Sequence, residues 1–105
     1  MNQYEIVLVN LDPTVGSEIQ KTRPCVIVSP NEINHNLQTL VVSPMTTSSR
    51  KYPTRVEVKH NGKTGWIAID QIRTIDKVRV IKTLGTLNKS EILEVESVIK
   101  ETFVD

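Results

Sequence analysis

At 105 residues the chain has the length of one domain, and residues 1–105 are expected to form a single unit. An apolar fraction of 38% with 24% charged residues excludes a disordered tail, and no apolar run approaches membrane length. The net charge of +1 is unevenly placed: residues 91–105 carry Glu91, Glu94, Glu96, Glu101 and Asp105 against Lys100, a balance of −4 that leaves +5 on the rest. A basic body with an acidic end fits a polyanionic ligand kept away from the last element, and ordinary solvated charge fits it too. No charged start followed by an apolar stretch marks a secretory signal. Cys25 stands alone, so no intramolecular disulfide is expected and a cytoplasmic setting fits.

In chain order, Tyr4–Leu11 reads as a strand from its β-branched content, and Asp12-Pro13 ends it. Gly16 sits in a loop running to about Thr22. Cys25–Ser29 is expected to be a strand covered on both faces, because its apolar run is nearly continuous, with Pro30 closing it. Asn31–Asn36 is a polar connection. Thr39–Ser43 reads as a third strand closed by Pro44, and Thr46–Lys51 as a hydroxyl-rich basic loop. Arg55–Lys59 alternates, which points Val56 and Val58 inward; Asn61-Gly62 is a hairpin signal, and Gly65–Ile69 returns with Trp66 as the large aromatic anchor. Ile72–Ile75 and Val78–Ile81 read as short extended or 3₁₀ pieces, and Gly85 as punctuation before the end. From Asn88 the period changes. Asn88 with Glu91 forms a capping-box pattern, and Ile92, Val95, Ile99 and Phe103 recur at helical spacing. The sum is a mainly β fold, a small curled antiparallel sheet or open barrel with one C-terminal helix.

His35, His60 and Cys25 lie in no ligand-like spacing, so no metal and no cofactor are expected, and no glycine-rich phosphate loop is present. Cys25 lies in an apolar run and is expected to pack as a small hydrophobe. Three polar sets remain. Residues 16–24 converge where a loop meets a strand, and Arg23 before Pro24 must be extended. Thr46, Thr47, Ser48 and Ser49 beside Arg50 and Lys51 have the donors and charge to receive a phosphate. Asp70-Gln71 with Arg73 can read a base edge or cap a turn. Each set taken alone also fits a solvated loop.

Together these sets resemble the MazF/PemK family of toxins. The resemblance rests on Val9-Asn10-Leu11-Asp12-Pro13-Thr14-Val15-Gly16-Ser17-Glu18, Thr22-Arg23-Pro24, Ser29-Pro30, Asn34, Pro44-Met45-Thr46-Thr47 and Asp70-Gln71-Ile72-Arg73-Thr74-Ile75-Asp76. It implies an SH3-like barrel with a C-terminal helix, a homodimer, and metal-independent cleavage of single-stranded RNA, not DNA, through the RNA's own 2′-hydroxyl. Arg23 and Thr46 match the family's catalytic arginine and its paired threonine. Ser17, Glu18 and Gln71 fall on the RNA side, and Lys21, Thr47, Ser48 and Arg50 join them as RNA-binding candidates. The family also implies a cognate antitoxin protein as partner. Plasmid-type members use a histidine at the Ser17 position and an arginine at the Ala68 position, so this chain resembles the chromosomal branch and its pattern assigns no proton acceptor. The competing reading is a non-catalytic CcdB-like gyrase binder on the same fold. Those proteins resemble one another in a tryptophan near the C-terminus, where this chain has Thr102-Phe103-Val104-Asp105.

Overall fold

Alternation along the first two strands sends Ile6 and Val26 to one face and Val7, Val9, Cys25 and Ile27 to the other, and all six are buried. A computed structural model describes residues 1–60 and 62–104; Asn61 of the expected Asn61-Gly62 turn and the terminal Asp105 lie outside them. The strands are β1 (Glu5–Asn10), β2 (Thr22–Ile27), β3 (Thr39–Thr46), β4 (Arg55–His60), β5 (Lys63–Ala68), β6 (Arg73–Asp76) and β7 (Val80–Thr86). They form one antiparallel sheet in the order β4-β5-β3-β2-β1-β7, with β6 also paired to β3. Among the described residues the end strands β4 and β7 do not pair, so the expected barrel is an open one.

Two apolar clusters cover the two faces. One holds Val7, Val9, Leu11, Cys25, Ile27, Leu40, Val42 and Ile75 inside the curl. The other gathers Ile6, Val26, Met45, Val56, Val58, Ile67 and Ile69 around Val95 of helix α2 (Lys89–Ile99). A one-turn helix, α1 (Asn31–Asn34), occupies the polar connection before β3, and its Asn34 is buried against Ser29. The capping box is present: Asn88 Oδ1 accepts the Glu91 N–H at 2.8 Å and Glu91 Oε1 accepts the Asn88 N–H at 2.9 Å.

Several expectations fail for identifiable reasons. Pro24 lies inside β2 and Pro44 inside β3, where prolines were expected to sit outside the strands. Over Thr22–Pro24, β2 has β1 as its only partner, so a missing donor is tolerated on the other side. Pro44 falls where β3 changes partner, from β6 at Val42↔Arg73 to β5 at Met45↔Ile67, and the ladder is interrupted there. Gly85 is within β7, opposite Ile6 at a bulge in the β1 pairing, and of the short piece expected at Val78–Ile81 the first two residues lie in the 3₁₀ turn Lys77–Arg79 while Val80 and Ile81 begin the seven-residue β7. Trp66 is half-buried and belongs to neither cluster. Phe103 is 53% exposed, because the chain widens into a π-helical turn over Lys100–Val104 and rotates it off the 3.6-residue stripe.

Replacing Asn88 with Ala removes the acceptor for the Glu91 N–H. It should lower stability by about 1 kcal/mol in urea unfolding, the usual cost of losing an N-cap.

Candidate functional site

Loop backbone that leaves a sheet must find partners for its N–H and C=O groups. For the loop over residues 11–21, the segment after β5 supplies them. Gln71 Oε1 accepts the Ile19 N–H at 2.7 Å, while its Nε2 donates to the Ser17 carbonyl at 3.4 Å. Arg73 Nη1 donates to the Leu11 carbonyl at 3.1 Å, and Arg79 Nη1 donates to the carbonyls of Asn10, at 3.2 Å, and Asp12. Within the loop, Gly16 takes φ +59° and Lys21 φ +71°; the Lys21 N–H donates to Asp12 Oδ1 at 2.9 Å. Glu18 turns its carboxylate back to accept the Val15 N–H.

Between this loop and the 3₁₀ turn Ile69–Gln71 opens a cavity of about 430 Å³, lined by Ser17, Glu18, Ile19, Asp70, Gln71 and Arg73 with Pro44 of β3. A second cavity, of about 160 Å³, is lined by Arg23 and Pro24 of β2, Met45, Thr46 and Thr47, and Lys63 and Thr64 of β5. The two meet β3 at the consecutive residues Pro44 and Met45. Continuing the β2–β3 register two residues beyond Cys25↔Pro44 brings Arg23 opposite Thr46. The β2–β3 pairing therefore brings to one cavity two residues that lie on different strands.

Arg23 is half-buried, and its Nε donates to the Gln20 carbonyl at 3.2 Å. That bond fixes the stem and leaves the two terminal nitrogens directed elsewhere. Among the described residues the one ion pair is Arg55–Asp70, so no carboxylate neutralises Arg23. Thr46 Oγ1 accepts the Ser48 N–H at 3.1 Å, which orients the hydroxyl and leaves its proton to donate. An unneutralised guanidinium and an oriented hydroxyl in one recess are groups whose chemistry suits a tetrahedral anion.

The remaining candidates divide. Ser17, Glu18 and Gln71 share the larger cavity, and Thr47 lies with Arg23 and Thr46 in the smaller one. Lys21, Ser48, Arg50 and Lys51 are exposed and line neither cavity. Lys63 and Thr64 were missed, because only the pairing of Thr46 with Trp66 carries the start of β5 to this recess. Arg55 was missed as well. The alternation of β4 makes it an outward residue, yet it holds Asp70 in a two-point pair, Nε to Oδ1 at 2.7 Å and Nη2 to Oδ2 at 3.1 Å. Thr54 Oγ1 adds a third bond to Oδ1 at 3.1 Å. Hydrogen bonding to Arg55 is the main cause that lowers the Asp70 pKa below its ordinary value of 3.8, and partial burial opposes it. Cys25 is fully buried, and burial pushes its thiol up to about 12, so it packs as expected and is no nucleophile. Among the described residues no three His, Cys, Asp or Glu side chains cluster as metal ligands, and no helix is long and apolar enough to cross a membrane.

Comparison with known proteins identifies the family and the fold. The family described as "PemK-like, MazF-like toxin of type II toxin-antitoxin system" matches residues 2–103. The endoribonuclease MazF of Staphylococcus epidermidis is 33% identical over 90% of this chain and 84% of its own length. Among solved structures, MazF from Deinococcus radiodurans superposes with a TM-score of 0.85 at 23% identity, covering 96% of this chain and 94% of that one. An endoribonuclease from a Mycobacterial species, solved in complex with its cognate antitoxin, superposes with a TM-score of 0.82 at 22% identity, covering 96% and 92%. At these identities the two structures establish the shared fold.

The Asp70 carboxylate has a lower pKa folded than unfolded, so its stabilising contribution is complete above 3.8 and is lost as pH falls through the folded value. Asp70→Asn should therefore melt below the parent protein at pH 7, with the gap closing in acid. A gap of constant size down to pH 2 would contradict the assignment.

Proposed function

The chain belongs to the family of PemK-like, MazF-like toxins of type II toxin–antitoxin systems, and from that premise we propose that it is an endoribonuclease that cuts single-stranded mRNA. The observation that carries the reading is the smaller cavity, which an unneutralised Arg23 and Thr46 line together. The scissile phosphate binds there. The RNA's 2′-hydroxyl gives up its proton and attacks the adjacent phosphorus, a new O–P bond forms, the bond to the 5′-oxygen breaks as that oxygen takes up a proton, and a 2′,3′-cyclic phosphate and a 5′-hydroxyl are left. This chemistry needs no metal and no protein nucleophile. It needs stabilisation of the extra negative charge on phosphorus, which the planar guanidinium of Arg23 and the hydroxyl of Thr46 supply. DNA, lacking the 2′-hydroxyl, is bound without being cut.

The larger cavity has the size of a small-ligand site and receives a neighbouring nucleotide, with Ser17, Glu18 and Gln71 at its wall. Lys21, Thr47, Ser48, Arg50 and Lys51 contact the flanking backbone from the exposed loops. The protein acts in the cytoplasm as a homodimer whose copies frame a common RNA groove. Its antitoxin, an acidic segment that folds on binding, covers the same basic surface and avoids the acidic α2. A gyrase-binding reading is not favoured, since it gives Arg23 and Thr46 no work.

Primer extension on a long RNA incubated with purified protein and EDTA should show discrete cuts, and a 2′-deoxy substitution at the cut nucleotide should abolish the cut there. Arg23→Ala should lower cleavage by about 10²–10³-fold with the fold retained, the scale of a lost transition-state donor. Arg23→Lys should recover only part, because an ammonium lacks the two-point geometry. Thr46→Ser should keep most activity and Thr46→Val should lose most; the reverse order would make the threonine a packing residue.

A further inference from the structure

Arg55 is the most fully engaged cation of the described residues, and it ties the loop that precedes its own strand to Asp70, 15 residues further along the chain. Its side chain is 14% exposed, compared with 35% for its partner Asp70. Nε and Nη2 take both oxygens of Asp70, Nη1 donates to Ser49 Oγ at 3.2 Å, and the guanidinium carbon lies 5.8 Å from the centre of the Tyr52 ring. Ser49 lies in the loop that begins at Thr46, and its hydroxyl donates onward to the Arg50 carbonyl at 2.9 Å. Asp70 precedes Gln71, whose amide holds Ser17 and Ile19. The guanidinium thus stands between the loop that follows Thr46 and the turn that fixes the wall of the larger cavity.

We propose that Arg55 is a positioning residue of the cleavage site, acting through Ser49 and Asp70 to hold the walls of the two cavities in one geometry, with Asp70 as its anchor and not a proton acceptor. The inference rests on the cleavage reading above. A carboxylate with both oxygens taken by a guanidinium and a third bond from Thr54 has little basicity left for a 2′-hydroxyl proton. A planar fork with three engaged nitrogens, largely shielded from water, is a stiff strut, and a lysine at the same position cannot make all of these contacts together. Misplacing one wall leaves the groups present but misaligned with the phosphate. That error falls on the chemical step more than on binding.

The test measures kcat and KM on an RNA oligonucleotide containing a mapped cut, the pH–rate profile, and binding of the uncleavable 2′-deoxy form. Arg55→Gln should reduce kcat by about tenfold to 10²-fold with KM and 2′-deoxy binding little changed, and Arg55→Lys should recover part. Asp70→Asn should behave like Arg55→Gln, the double variant should be no worse than either, and the acidic limb of the profile should stay in place. Ser49→Ala, which leaves the ion pair intact, should lower kcat severalfold without moving the melting temperature, and it decides the matter if the Arg55 variants unfold. An unchanged kcat in Ser49→Ala and Arg55→Gln would overturn the positioning role. Loss of the acidic limb in Asp70→Asn would make Asp70 the proton acceptor. Wild-type protein that leaves the RNA intact would overturn the cleavage reading, and this inference with it.

Discussion

Along Thr39–Val42, β3 hydrogen-bonds to β6 on one edge, and from Met45 the same edge is taken by β5. At Ser43 and Pro44 between them the ladder is broken, and the buried Ser43 hydroxyl donates to the Ala68 carbonyl at 2.7 Å across the gap. A strand can change neighbours at low cost where no N–H is left without an acceptor, and proline has no N–H to leave unpaired. Both cavities open beside this junction, the larger at Pro44 and the smaller at Met45 and Thr46. The curl of the sheet, the place of the site and the position of a proline are consequences of one change of pairing.

A second constraint is how the cations are used. Net charge is nearly balanced, so diffuse attraction cannot bring a polyanion to one place. The fold instead sorts arginines by their partners. Arg73 and Arg79 donate to carbonyls at the base of the first loop, and Arg55 is closed on Asp70. Arg23 has a carbonyl on Nε, and its terminal nitrogens make no hydrogen bond among the described residues. A guanidinium held by its stem and unneutralised at its head is ready to bind an anion with little reordering, which is the condition for strong electrostatic stabilisation of a transition state.

The loop over residues 11–21 shows how a segment without regular structure becomes a wall. Its carbonyls and amides are met by Gln71, Arg73 and Arg79, all from the chain that follows β5. The Gln71 side chain takes the N–H of Ile19 and the C=O of Ser17, so it stands in for a strand that is not there. Such bonds are individually modest, but a buried or half-buried backbone group without one is costly, and the shape of the larger cavity follows from satisfying them.

Local rules made much of this legible. The apolar run from Cys25 is covered on both faces, the alternation of β4 buries Val56 and Val58, and Asn88 with Glu91 caps α2, because each depends on neighbours a few residues apart. Motif order singles out Arg23 and Thr46, and both line the smaller cavity. Where local signals were taken alone, they misled. Pro44 reads as a strand end, Gly85 as punctuation and Phe103 as part of the helical apolar stripe, whereas Pro44 and Gly85 lie within strands and Phe103 is exposed. The sequence by itself determined which residue types could stabilise a phosphate and which segments could be strands or helix. Only the tertiary structure decided which of them meet: the pairing of β3 with β2 and β5, and the reach of Arg55 to Asp70, join residues far apart in the chain, and no periodicity within a segment encodes a partner outside it.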